Sequence, residues 1–304
     1  MLTSFFKNSK PINFIMLLVY MLLSYILIVI FAPIFPIELD IGRQVIVLLC
    51  LLSTVFVVHQ MAVKNHLTRV NMLALLFFTG FVSTLGLSFD DVSLLFANVL
   101  CVVGVFRLVE TNDTPKVKGK FFDAALTFVV ASLFFSWCSL FLILVFVVIA
   151  INGRRDKKNF FIPFVAIGAV VILLISIENL FAIRLLSVNY SSSGDFSIYN
   201  SARIIIPLSF LLTLLIWCLF TYLSVLKRAS ANIKGGHITI LAYLFFAIAL
   251  VLLSPVKKGS ELLFLAAPFS IITANYFQQE GDALFKEILL WIIILLPFSL
   301  FLYS

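Results

Sequence analysis

What most constrains the fold of this chain is a succession of ten apolar runs joined by short polar links: Phe14–Phe35, Gln44–Ala62, Val70–Leu87, Val92–Val109, Phe121–Ile151, Phe160–Ile177, Ala202–Leu226, His237–Ser254, Leu262–Phe277 and Ile288–Tyr303. An α-helix rises about 1.5 Å per residue, so about 20 apolar residues cross a hydrocarbon layer ~30 Å thick, and these runs approach or reach that length. A soluble core has no room for so much apolar surface. Hydrophobic residues make up 63% of the 304 and charged residues 12%, with 34 Phe, whereas a soluble domain carries about 25% charged residues. The expected fold is all-α: a polytopic transmembrane helix bundle forming a single integral membrane domain over residues 1–304, without a soluble domain.

Two segments need a decision. The first run follows Lys7 and Lys10, as a secretory signal would, but it is too long for a signal core. It also ends in Ala32-Pro33-Ile34-Phe35-Pro36, which is not a small-x-small cleavage site, so it counts as the first helix. The run Phe121–Ile151 spans about 45 Å as one helix. It is therefore either one overlong tilted helix or two short helices joined around Ser136-Trp137-Cys138-Ser139. Charge decides between them. With a hairpin, only Arg43, Arg184, Arg203, Lys257 and Lys258 of the 21 Lys and Arg fall outside, whereas a single helix splits them 12 to 9. Cytoplasmic loops collect Lys and Arg, which selects the hairpin. The result is eleven transmembrane helices (range 10–12), a cytoplasmic N-terminus and an external C-terminus.

The same rule explains the net charge of +7 as orientation signals in short loops, not a nucleic-acid surface. The basic loops Lys116–Lys120 and Arg154–Lys158 are topology signals and anionic-lipid contacts. Cys50, Cys101, Cys138 and Cys218 stand singly inside apolar runs and pack as small side chains. His59 and His66 lie seven residues apart, too far along a helix to hold one metal. Phosphate loops, dinucleotide fingerprints, zinc-protease and nucleophile-elbow motifs are all absent. The helix centres lack ionisable groups, which argues against an ion-coupled carrier. Asn98 and Asn275 are their plausible midplane polar residues.

Chemistry is expected at the external face instead. Glu38 and Asp40 follow Pro33 and Pro36, where a carboxylate can act as general base for a hydroxyl attacking an activated sugar; the plain alternative is a solvated loop acid. The turn Lys257-Lys258-Gly259-Ser260-Glu261 puts two cations on the translocated side, against the rule that the rest of the chain obeys. Lys257 and Lys258, with Arg184 and Arg203, suit a lipid-borne phosphate, and snorkelling to headgroups is the plain alternative. Arg43, Glu178 and Glu261 complete the expected pocket. No cofactor is expected, and a divalent metal at Glu38 and Asp40 is left open. The segment Val188–Ser201, rich in Ser, Asn and Tyr, is the longest polar stretch and is expected to form an external surface loop.

The opening MLTSFFKNSKPINFIMLLVYMLL, the hairpin FFDAALTFVVASLFFSWCSLFLILVFVVIAI and the block SPVKKGSELLFLAAPFSIITANYF resemble an uncharacterised family of polytopic inner-membrane proteins from Bacteroidota, over essentially the whole chain. A weaker, architectural similarity is to the C superfamily of membrane glycosyltransferases, which use polyprenyl-phosphate-linked donors. It rests on the cytoplasmic N-terminus, the acids Glu38 and Asp40 in the first external loop, and the short paired helices of Phe121–Ile151. That similarity implies an envelope-biogenesis protein of the bacterial inner membrane, handling a polyprenyl-phosphate-linked glycan at the periplasmic face, with glycosyl transfer as its enzymatic form. Its partners are membrane lipids and that substrate. Two further readings are a non-enzymatic subunit of a secretion or export assembly with membrane-protein partners, and a lipid flippase or transporter.

Overall fold

The computed structural model describes residues 2–7, 9–31, 40–85, 91–112, 117–152, 157–182, 190, 195–255 and 257–298, and among these it contains helices and no strand. The helices are α1 (Leu2–Phe6), α2 (Pro11–Phe31), α3 (Ile41–Lys64), α4 (Leu73–Thr84), α5 (Val92–Val109), α6 (Val117–Phe134), α7 (Leu140–Asn152), α8 (Ile162–Phe181), α9 (Ala202–Arg228), α10 (Ala231–Leu253), α11 (Leu263–Gln278) and α12 (Ala283–Leu295). Among the described residues seven helical stretches are long and apolar enough to cross a membrane, within α2, α3, α5, α8, α9, α10 and α11, and α4 and Ser136–Ile151 are shorter apolar helices. The protein is a multi-pass membrane protein with an all-helical fold. Helices suit this solvent because lipid offers no partner to an unpaired backbone group.

Local sequence sets the helix ends. Pro11 opens α2, where a missing N–H costs nothing and φ is already helical. Asp40 caps α3 by accepting from the Gly42 N–H, and Asp282 caps α12 by accepting from Leu284 and Phe285. The long run Phe121–Ile151 is broken, as its loop charges require. After α6, Phe135 turns extended (φ −143°, ψ 104°) and Ser136–Ser139 make one 3₁₀ turn. From there α7 folds back onto α6.

The described residues group into two compact units, one of residues 1–92, 195–229 and 257–304, the other of 93–194 and 230–256. In the first unit, α4 is buried throughout and α11 is buried at every position except Tyr276. These two helices pack on each other, with Phe77 against Phe277 (ring centroids 4.6 Å apart) and Phe81 against Phe269 (4.8 Å). Around them α9 packs on α11, and α2, α3 and α12 pack on α4. Gly80 lets α12 approach so closely that a Cβ there would meet Ile293 Cγ2 at 2.7 Å. The Ser24 and Ser83 hydroxyls bond at 2.7 Å between α2 and α4, the kind of polar link that joins helices in lipid.

In the second unit α8 packs on α6 and α10 packs on α7. Phe141 of α7 joins the core by stacking on Phe128 and meeting Tyr243 edge-on, with centroids 5.5 Å apart in both pairs. Gly104 of α5 lies against Phe128 and Thr127 of α6. An ion cluster ties the α5–α6 connection: Glu110, buried, pairs with Lys120 and with Arg107 (3.2 Å), and Arg107 also reaches Asp123 (3.9 Å). Lys120 is therefore more than a topology signal.

Candidate functional site

The turn between α10 and α11 carries the densest set of charges that the sequence marks. Gly259 takes a left-handed conformation (φ 85°), which glycine adopts at no steric cost, and it folds Lys257 and Glu261 inward. Glu261 is fully buried, and Lys257 is only 3% exposed. One oxygen of Glu261 accepts the Tyr199 hydroxyl at 2.5 Å, and the other accepts the Lys258 N–H at 3.3 Å. Tyr199 stands on the 3₁₀ turn Ser197–Asn200, just ahead of α9. From the same segment Phe196 offers its ring to the Lys257 ammonium, 5.1 Å from the centroid, a cation–π contact strengthened by burial.

The electrostatics follow from this geometry. Burial, and then the neighbouring Glu261 charge and hydrogen bond, push the Tyr199 phenol well above its ordinary range, with the Gly259 backbone acting in the opposite direction. Burial lowers the Lys257 ammonium, and the Glu261 charge works against that. The three groups form a knot: the Glu261 carboxylate accepts the Tyr199 hydroxyl, and its charge acts on the Lys257 ammonium. Lys258 stays exposed on its outside, with its backbone N–H held by Glu261.

The sequence-marked residues therefore fall into groups. Lys257, Lys258 and Glu261 come together, and they gain Phe196 and Tyr199 as partners. Asp40 and Arg43 form another group at the start of α3, where the Asp40 Oδ1 accepts the Gly42 N–H at 3.2 Å. Arg43, half-buried, lies near Tyr25, whose hydroxyl donates to Gln44. Arg203 stands in the first turn of α9. Glu178 is half-buried near the end of α8, in the second unit. Glu38 and Arg184 lie outside the described residues, as do residues 188–189 and 191–194 of the segment Val188–Ser201. Within that segment, Tyr190 reaches the hairpin turn, its hydroxyl donating to Ser139 at 3.2 Å and its ring 5.6 Å from Trp137.

Two expectations about polar residues change in detail. The Asn275 amide donates to the Leu67 carbonyl (2.9 Å) in the α3–α4 connection and to Ile271 (2.8 Å), so it ties a helix end to a loop instead of bridging helices at mid-depth. Neither amide atom of Asn98, buried in α5, has a hydrogen-bond partner among the described residues. Among the described residues no three His, Cys, Asp or Glu side chains are placed to hold a metal ion. Sequence reading passed over Tyr199 and Lys286. The first lies in a polar stretch 62 residues from its partner, and the second sits just ahead of an apolar run, where basic residues are commonplace.

The family model of DUF6427, described as a family of unknown function, matches residues 5–304. No curated protein and no solved structure matches the chain.

Proposed function

This chain belongs to the DUF6427 family, and from that premise we propose that it is an envelope-biogenesis protein of the bacterial inner membrane that engages a polyprenyl-phosphate-linked glycan at the periplasmic face. The observation that supports this reading is the α10–α11 turn, where Glu261, bonded to Tyr199, also holds the backbone of the exposed Lys258. A cation on a backbone held this way at a membrane boundary gives up only side-chain freedom on meeting a lipid phosphate. Arg203 supplies the forked contact that phosphate oxygens accept well. In the enzymatic form of the proposal, Glu38 or Asp40 takes the proton of the acceptor hydroxyl. Capping occupies only the Asp40 Oδ1, and the second carboxylate oxygen is the one assigned to that step.

The test is binding of undecaprenyl phosphate to the purified protein in nanodiscs. Lys258→Ala and Arg203→Ala weaken binding, each by about tenfold as expected for a lost charge-assisted contact. Asp40→Asn leaves binding intact and stops any sugar transfer. Wild-type binding by both cation variants rejects the proposal.

A second reading, a non-enzymatic subunit of a membrane assembly, draws on α8. Only 22% of its apolar window is buried, and it exposes Phe164, Ile172, Leu173, Leu180 and Phe181. Stable co-purification with another membrane protein, together with full function of Asp40→Asn and Lys258→Ala, favours that reading.

A further inference from the structure

A cavity of ≈ 320 Å³ opens in the first unit, at the end opposite in chain direction to the α10–α11 turn along α11. Its lining draws Lys7 from the segment after α1, Arg69 from the α3–α4 connection and Lys286 from the first turns of α12, with Glu280 as the one carboxylate in the lining. By the distribution of basic residues this end is assigned to the cytoplasm. Three basic residues thus line one small space, and among the described residues no carboxylate lies within 4.0 Å of any of their cations.

The three are held there by separate tethers. Thr3 donates its N–H (3.1 Å) and its hydroxyl (2.6 Å) to one oxygen of Glu287 on α12. Phe6 is buried, and its carbonyl accepts the Met72 N–H at 3.0 Å, while Asn13 donates to the Phe5 carbonyl at 2.8 Å. These bonds fix the segment that ends in Lys7. The Arg69 N–H donates to Gln278 at 2.9 Å, and Gln278 donates to Asn71 at 3.2 Å, which fixes the connection that carries Arg69. Lys286 is 6% exposed, with its ammonium donating to the Gln279 carbonyl and lying 5.3 Å from the centre of the Tyr276 ring. Burial, and then the charge of Lys7, lower that ammonium from its ordinary value.

Gathering three cations at one cavity, with Glu280 as the one carboxylate in its lining, costs stability. Lys286 is buried and cannot swing away, and the backbone segments that carry the exposed Lys7 and Arg69 side chains are anchored at the same cavity. An anion in the cavity removes the repulsion. The first-turn N–H groups of α12 already bond Asp282, so the side chains supply the recognition. We propose that this cavity is a phosphate-group site, in which Arg69 offers its fork to two phosphate oxygens while Lys7 and Lys286 act as point charges. Its volume stands at the lower end of small-molecule sites, about 300 Å³, which matches a glycerophosphate-sized headgroup or a small phosphate ester. One residue along α12 from Lys286, Phe285 lines a separate apolar groove with Phe210 and Trp217, so the test includes a lipid arm.

Wild-type protein and the double variant Lys7→Gln/Arg69→Gln are compared; both side chains are exposed, so the fold survives the change. In the first arm, detergent-solubilised protein is titrated with inorganic phosphate, against sodium chloride at matched ionic strength. In the second, thermal stability is read in nanodiscs of phosphatidylcholine with and without phosphatidylglycerol. A free phosphate ligand gives saturable phosphate binding in the first arm that weakens about tenfold or more in the variant. A headgroup ligand gives no response to inorganic phosphate but a stabilisation by phosphatidylglycerol that the variant loses. Equal responses of wild type and variant in both arms, or no response in either, overturn the proposal.

Discussion

Taking one charge out of the α10–α11 knot strands the other in a buried site. Glu261→Gln removes the opposite charge that acts on the buried Lys257 ammonium, and a buried charge deprived of its counter-charge costs about 3 kcal/mol. Tyr199→Phe removes one hydrogen bond and costs about 1 kcal/mol. Denaturation of the purified protein should rank Glu261→Gln below Tyr199→Phe, and both below wild type. The raised Tyr199 phenol adds a pH signature. Above the unfolded value of about 10, the folded state keeps a proton that the unfolded chain releases, so the Tyr199 contribution is full below pH ~10 and falls as pH rises further. The stability difference between wild type and Tyr199→Phe should therefore shrink in alkaline buffer; a constant difference contradicts the assignment. The sequence marked Lys257, Lys258 and Glu261 because two lysines broke the charge rule. It held no sign that Lys257 points inward, since that depends on Gly259 turning left-handed and on a tyrosine from another connection.

At the scale of elements, the close approaches decide which changes the fold tolerates. Gly104 brings α5 against α6, and a Cβ there would lie 2.5 Å from Phe128 Cε1 and 2.7 Å from Thr127 Oγ1. Phe128 is itself pinned in the stack with Phe141, so the ring cannot yield. Gly104→Ala should destabilise by about 1–3 kcal/mol in spite of alanine's better helix propensity, whereas Gly119→Ala and Gly168→Ala, with open space around them, should not. Retention of wild-type thermal stability by Gly104→Ala would refute the packing argument. Element positions were legible because the loops are short and the runs unbroken, and the hairpin was legible because charge counts the crossings. Element ends were less so. The last run begins at Ile288 in the sequence, yet α12 starts at Ala283, because Asp282 caps it and the intervening Lys286 and Glu287 are held by the first-unit tethers. Likewise α8 continues through Glu178 and Asn179, the latter satisfied by the Ile175 carbonyl at 2.8 Å.

For the whole molecule, orientation is the property on which both proposals depend. The chain passes four times between its two units, and the charge rule places the α10–α11 turn outside and the Lys157 segment inside. The native cysteines are buried, so an introduced cysteine reports its own side. In intact cells a membrane-impermeant maleimide should label Lys258→Cys and spare Lys157→Cys until the membrane is opened. The reverse pattern would invert the topology and remove the periplasmic site with it. By itself the sequence determined that the chain lies in lipid, that it is helical, where its helices run and that one apolar run folds back. Each of those follows from counting apolar residues and loop charges against a layer of known thickness. Only the tertiary structure decided which helices pack on which. In water, an apolar stripe shows the face that turns inward, but here lipid and protein interior are equally apolar solvents. The buried α11 is less apolar than the largely exposed α8, yet that difference names none of the helices it meets. The same holds for the charged groups. Glu261 with Tyr199, and Lys286 with Lys7 and Arg69, meet because distant connections converge, and no spacing along the chain encodes that convergence.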